Sequence, residues 1–383
     1  TLLLQRTVKQ KQRKKMYAMM FCGSGSGSGN DRKKRSADER KADEDDAAAS
    51  TVCSISDVAS EGGADCSTSS DFSIVNNETA SCLSRELKQL PMRTREKVGQ
   101  DLYGLSEGDT IEPSDFDSLR EEIDKIEAKQ AYERAYEMDP EYVSNTAFQL
   151  MFLRATQGKA KAAAKRMVRH FDTKLHLFGE EKLVKDIQIS DLDEDDMEAL
   201  ESGGFQVLPE RDLAGRSVLF GRYTCMRYRS IENMLRALWY IWMVILEDEI
   251  NQIKGVVAIG HEIGRGPLER FDGLEDTHFE MFSADGGFDR DLARQVIKIP
   301  LSVPVRPVGY HLCTDSEQWV GILNMIMATL CKFIRLRMRI HHGTDQECKY
   351  MLMTHGLPAG SLPVDKHGEV DLTPHMHWLE HRK

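Results

Sequence analysis

The chain of 383 residues lacks the marks of most enzyme and membrane classes. None of its eight cysteines falls in a C-x-x-C pair or at zinc-like spacing, so they read as free thiols in a reducing compartment. No G-x-S-x-G or comparable nucleophile setting appears, and no catalytic residue is assigned. The Gly-rich stretch GHEIGRG, with Gly260, Gly264 and Gly266, has no Lys-Ser/Thr after it, which argues against a phosphate-binding loop. No apolar run reaches the about 20 residues a spanning helix needs. Residues 16–22, MYAMMFC, follow a basic stretch but are too short for a secretory leader. The chain opens on Thr1, which reads as a fragment or as a start at Met16 or Met19. Positive charge is in deficit: the net charge is -11, so attraction to nucleic acid or anionic lipid has to come from local patches.

What is present begins with a low-complexity start. GSGSGSG at residues 23–29 is a flexible linker composition. Basic Arg32–Arg35 precedes acidic Asp43–Asp46 and a Ser/Asp/Ala-rich tract with few large apolar groups. Such a segment buries too little surface to offset its ordering entropy, so residues 1–83 are expected to be disordered. The sequon Asn77-Glu78-Thr79 has no other sign of secretion beside it.

From Ser84 the pattern turns helical, and residues 84–182 read as a small bundle. Ser114 is expected to cap a helix running through Leu119, Ile123 and Tyr132 toward Met138. Asp139-Pro140 reads as an N-cap followed by proline at the first helical position. A helix carrying Tyr142, Phe148, Met151 and Phe152 follows. A third spans Lys159 to Phe178, with Gly179 as its stop. Its Lys161, Lys165, Arg166 and Arg169 read as a solvated face.

Residues 183–372 alternate strands and helices. Ser217–Tyr223 reads as a strand, Glu232–Lys254 as one long helix and Val256–Ile259 as a buried strand. Ile297–Leu312 reads as extended, with a strand at Val308–Leu312. Arg335–Ile340 alternates with period two, which predicts a strand with its arginines on one face. Cys348–Met353 begins another helix, and residues 373–383 read as a polar tail in which His375, His377 and His381 hold no metal. Strand, helix, strand, helix, strand is an α/β layer arrangement with a mixed sheet.

The sharpest feature is a junction. Trp319–Cys331, WVGILNMIMATLC, carries no charge, and KFIRLRMRIHHG follows at once. An apolar helix beside a cationic ribbon suits a surface that opens onto anionic lipid. On this reading Lys332, Arg335, Arg337 and Arg339 meet phosphoinositide headgroups. Met325, Met327, Met338, Met351 and Met353 cluster around the junction as adaptable packing.

These residues carry a resemblance. Phe152-Leu153-Arg154-Ala155 before an Ala/Lys-rich helix resembles the helical start of the CRAL-TRIO lipid-transfer family. Ile299-Pro300-Leu301 with Val308-Gly309-Tyr310-His311-Leu312 resembles the family's strand before its gate helix. Arg339-Ile340-His341-His342-Gly343, Leu357-Pro358 and Leu362-Pro363-Val364-Asp365 with Gly368 resemble the closing segment of the tocopherol- and retinal-carrier branch. The chain departs from that pattern at Gly260-His261, where the family often has an acidic residue, and at His367-Gly368, where it has Gly-Gly.

The resemblance implies an α/β lipid-binding domain with an apolar pocket under a mobile helix, Ser316–Leu330. Its candidate lining is Phe220, Tyr223, Val257, Ile259, Tyr310, Leu312, Ile322, Met325 and Ile326. The expected function is carriage of a hydrophobic small molecule or phospholipid between membranes by a cytoplasmic, transiently membrane-associated monomer. No cofactor, metal or nucleic acid is expected. The alternatives are a phosphoinositide-sensing adaptor that transfers nothing, and an enzyme or nucleic-acid binder using the N-terminal basic clusters.

Overall fold

The computed structural model describes residues 85–264, 290–330, 332–365 and 369–383. The expected disordered tail with its linker, RKKR run and sequon lies outside them, as do Gly266, Cys331 and His367-Gly368.

The helical region is more finely divided than the sequence suggests. Helix α1 is Met92–Tyr103, α2 Pro113–Asp124, α3 Gln130–Met138, α4 Pro140–Ser144, α5 Thr146–Ala155 and α6 Ala160–Phe178. The expected helix from Ser114 to Met138 breaks between α2 and α3, and Glu112 rather than Ser114 caps its start. Asp139 caps α4 as expected, its side chain accepting from the Tyr142 amide at 2.9 Å. Asn145 caps α5 in the same way. Gly179 ends α6 with a positive φ of 73°, a region that costs side-chain-bearing residues most.

The faces of α2, α3, α5 and α6 meet around Leu119, Phe152, Met167 and Phe171. The basic side of α6 is not all solvated: Arg166 is buried and donates to the Val305 carbonyl at 2.5 Å. Thr173 donates to Ser302 Oγ at 2.9 Å. These bonds tie the bundle to the sheet region, within one compact unit.

That region holds a five-stranded sheet: β1 Phe205–Val207, β2 Val218–Gly221, β3 Val256–Glu262, β4 Pro307–Thr314 and β5 Met338–His342. Spatial order follows chain order, with β1 antiparallel to β2 and the others parallel, so the sheet is mixed as expected. Helix α7, Glu194–Glu201, precedes β1. The parallel strands are joined by α8 Ile231–Ile245 and α9 Glu249–Lys254, then α10 Arg290–Ser302, then α11 Glu317–Thr329 and α12 Lys332–Arg335.

Parallel crossovers share one hand, so a strand order that always steps the same way puts its crossover helices on one face. Leu219 packs into the α8 cluster, and Tyr310 and Leu312 pack with Leu301 of α10 and Met327 of α11. The opposite face is sealed by α13, Asp345–Thr354, and the segment from Leu357 to Val364. A last helix, α14 Thr373–Glu380, buries Leu379 in the main core.

Several expected boundaries change. The long helix Glu232–Lys254 is two, because Asp248 turns to cap α9. Of the stretch Ile297–Leu312 expected to be extended, Ile297–Ser302 is the end of α10, which contains Pro300 and buries Ile299 and Leu301, while the expected strand Val308–Leu312 lies within β4. The polar tail is α14, whose His375 is buried with Nε2 2.8 Å from the Leu200 carbonyl oxygen.

Candidate functional site

A middle strand exposes neither face when both are covered by packed layers. Here the faces differ. On the α13 side, Val257, Ile259, His261, His311 and Cys313 are all buried. On the α10–α11 side, Ala258, Gly260, Tyr310, Leu312 and Ile340 are only half-buried, although four of the five lie on the inner strands β3 and β4. The register makes these one continuous patch: Ala258 pairs with Tyr310, and Gly260 with Leu312 and then Ile340. The helices therefore cover this face without sealing it.

Helix α11 forms its roof. Ser316 caps it, with Glu317 the acidic residue of its first turn. Trp319, 2% exposed, anchors the N-terminal turn in the main core. Ile322 and Ile326, one helical turn apart, stay half-buried toward the sheet clusters. Met325 belongs to α11, but its side chain is outside the described set.

The patch ends at a buried acid. Glu262 closes β3 on the same face, where it accepts from the Tyr223 amide at 2.5 Å and Thr224 Oγ1 at 2.9 Å. Burial pushes its carboxyl up to about 7, opposed by the neighbouring Arg222 guanidinium. Arg222 is itself fully buried and donates to the Ile263 carbonyl at 3.0 Å. Sequence reading ended the strand at Ile259 and so missed Glu262; the run of small and apolar residues through Gly260 was the available signal.

The expected lining set divides between the two faces. Tyr310, Leu312 and Ile326 meet in one cluster between α11 and the sheet. Ile322 and Tyr223 pack against the adjoining main core. Phe220, Val257 and Ile259 point the other way, into the sealed α13 side. The period-two rule explains this: Phe220 and Ile259 are register partners of each other and of His311, not of Tyr310. Met351 and Met353 face outward, at 40% and 59% exposed.

The arginine stripe is not a one-faced strand. Lys332–Arg335 is helical, and the Leu336 and Arg337 amides still bond back to Lys332 and Ile334, so β5 starts only at Met338. Arg335 makes a two-pronged pair with Glu86 at 2.8 and 3.0 Å. Arg337, 4% exposed, binds Asp101 of α1 at 2.5 and 2.9 Å and lies over the Phe333 ring. Arg339 donates to the Leu336 and Met338 carbonyls. Lys332 stays exposed.

A groove of about 1010 Å³ lies elsewhere, lined by α7, Arg227, Arg229 and Met376, and none of the expected residues borders it. Among the described residues no helix is long and apolar enough to cross a membrane. Comparisons with protein-family models and with curated proteins find no match.

Proposed function

We propose that the chain is a carrier of the CRAL-TRIO type that holds one hydrophobic small molecule or phospholipid between α11 and the sheet. The observation carrying this reading is the unsealed face of β3, β4 and β5 beneath a helix without charge from Trp319 onward. Half-buried Tyr310, Leu312, Ile326 and Ile340 supply an apolar wall whose remaining surface a lipophilic ligand would cover, at about 25 cal/mol per Å² removed from water. Glu262 and the Tyr223–Thr224 turn offer a polar end to such a ligand. Membrane contact falls to α11 and exposed Lys332, since Arg335 and Arg337 are occupied by Glu86 and Asp101.

Ile326→Lys tests the reading, because an unpaired ammonium in an apolar space is strongly disfavoured. The full chain is incubated with liposomes of mixed lipids, re-isolated and weighed by native mass spectrometry, and the retained lipid is extracted and identified. The wild type should carry one lipid and the folded Lys variant none. Equal loading of the two proteins sinks the proposal, and an unloaded wild type that still binds liposomes supports the adaptor alternative.

A further inference from the structure

The sealed face of the sheet holds an arrangement that lipid carriage does not use. His311 of β4, His341 of β5 and His355 at the C-terminal cap of α13 each offer a ring nitrogen, and these lie within 4.8 Å of one another. His311 Nδ1 and His341 Nε2 are 3.0 Å apart with their rings stacked. The His355 ring meets His311 edge-on at 4.6 Å between centroids. We propose that His311, His341 and His355 together bind one divalent first-row transition-metal ion of the zinc class.

The cluster leaves buried polar atoms unsatisfied. His311 is fully buried, and its Nε2 has no hydrogen-bond partner; neither has the buried Nδ1 of His355. One bond between His311 and His341 satisfies one donor and one acceptor among six ring nitrogens. A buried polar group left without a partner is costly, so such a cluster favours a ligand that uses its lone pairs. Three imidazoles that converge with a fourth position left to water are a donor set for zinc and its neighbours. Burial holds all three below the ordinary histidine range, helped by the His355 ring at His311 and His341 and by the Arg339 guanidinium at all three. Burial favours the neutral imidazole, which is the form a metal ion requires.

The surroundings fix the rings and set the affinity. Tyr103 stacks on His355 at 5.0 Å. Cys348 Sγ lies 3.4 Å from the His341 carbonyl, as its donor. His261, in the same cross-strand row as His341, is engaged by Asp345 at 3.2 Å and stays outside the cluster. Two cations oppose an incoming ion: Arg216, paired with Asp212, and Arg339, bonded to carbonyls. Arg339→Gln should therefore tighten metal binding, an effect opposite to that of a variant that merely loosens the fold.

The test uses the full chain stripped with a chelator. Co²⁺ is titrated for its visible absorption, and Zn²⁺ by calorimetry and by displacement of Co²⁺. The expected result is one equivalent of either ion, weakened at least about tenfold in His311→Ala and His355→Ala. Arg339→Gln should bind several-fold tighter, and His342→Ala, an exposed neighbour outside the cluster, should match the wild type. His355→Gln, at a half-buried helix cap, carries the test where His311→Ala does not fold. Uptake well below one equivalent, or His355 variants that bind as the wild type does, overturns the proposal.

Discussion

Asp101 is the residue whose loss should cost this fold most. It lies at the end of α1, 1% exposed, and receives two guanidinium groups. Arg306 reaches its Oδ1 at 2.6 Å, and Arg337 reaches its Oδ2 at 2.5 and 2.9 Å. Arg216 adds a bond to the Asp101 main-chain carbonyl at 2.5 Å. Arg306 and Arg337 are 2% and 4% exposed, so neither can turn to water when the carboxylate is removed. Breaking a buried pair by deleting one partner costs about 3–5 kcal/mol, and here one carboxylate serves two cations. Asp101→Ala should thus cost about 5 kcal/mol, against a typical total of 5–15 kcal/mol. Arg335→Ala is the control. Its pair with Glu86 is partly exposed and should be worth at most about 1 kcal/mol. Urea unfolding followed by circular dichroism measures both. An Asp101→Ala midpoint within experimental error of the Arg335→Ala midpoint would falsify the view that this carboxylate is the clasp between α1 and the sheet.

Acid should destabilise the protein well above the carboxylate range. His261 and His341 are lowered from 6.5 to about 4, chiefly by burial, so the unfolded chain takes up protons first. Their contribution is fully present above pH 6.5 and is lost as pH falls toward 4, at up to about 3 kcal/mol each. Glu262, raised to about 7, works in the opposite direction between pH 4.5 and 7 but is a single group. Melting temperature measured from pH 7.5 to 4.5 should drop most steeply below 6.5, and a flat profile there refutes the assignment. Gly255→Ala should lose several kcal/mol, since φ is +83° and a Cβ would stand 2.5 Å from the Arg306 carbonyl oxygen. Unchanged urea stability would refute that packing. Gly99→Ala, with no atom within 4 Å of the added carbon and a place inside α1, should be neutral or slightly stabilising in the same assay.

Local chemistry alone determined much of this protein. Asp139-Pro140, Gly179 and Ser316 mark helix ends through bonds and dihedral angles confined to a few residues, and they act where the sequence places them. The alternation of strands and helices was legible for the same reason, since periodicity reports which side of an element is apolar. Periodicity does not report which of two apolar faces meets which layer. Phe220, Val257 and Ile259 look like Tyr310 and Leu312 in sequence, yet the pleat and register send them to opposite sides. The arginine run read as an exposed strand because its partners, Glu86 and Asp101, lie 249 and 236 residues away. His311, His341 and His355 carried no spacing signal, as β4, β5 and α13 bring them together only through parallel pairing and the packing of α13 on the sheet. Contacts made across such distances depend on the whole chain having folded, and tertiary structure alone decides them.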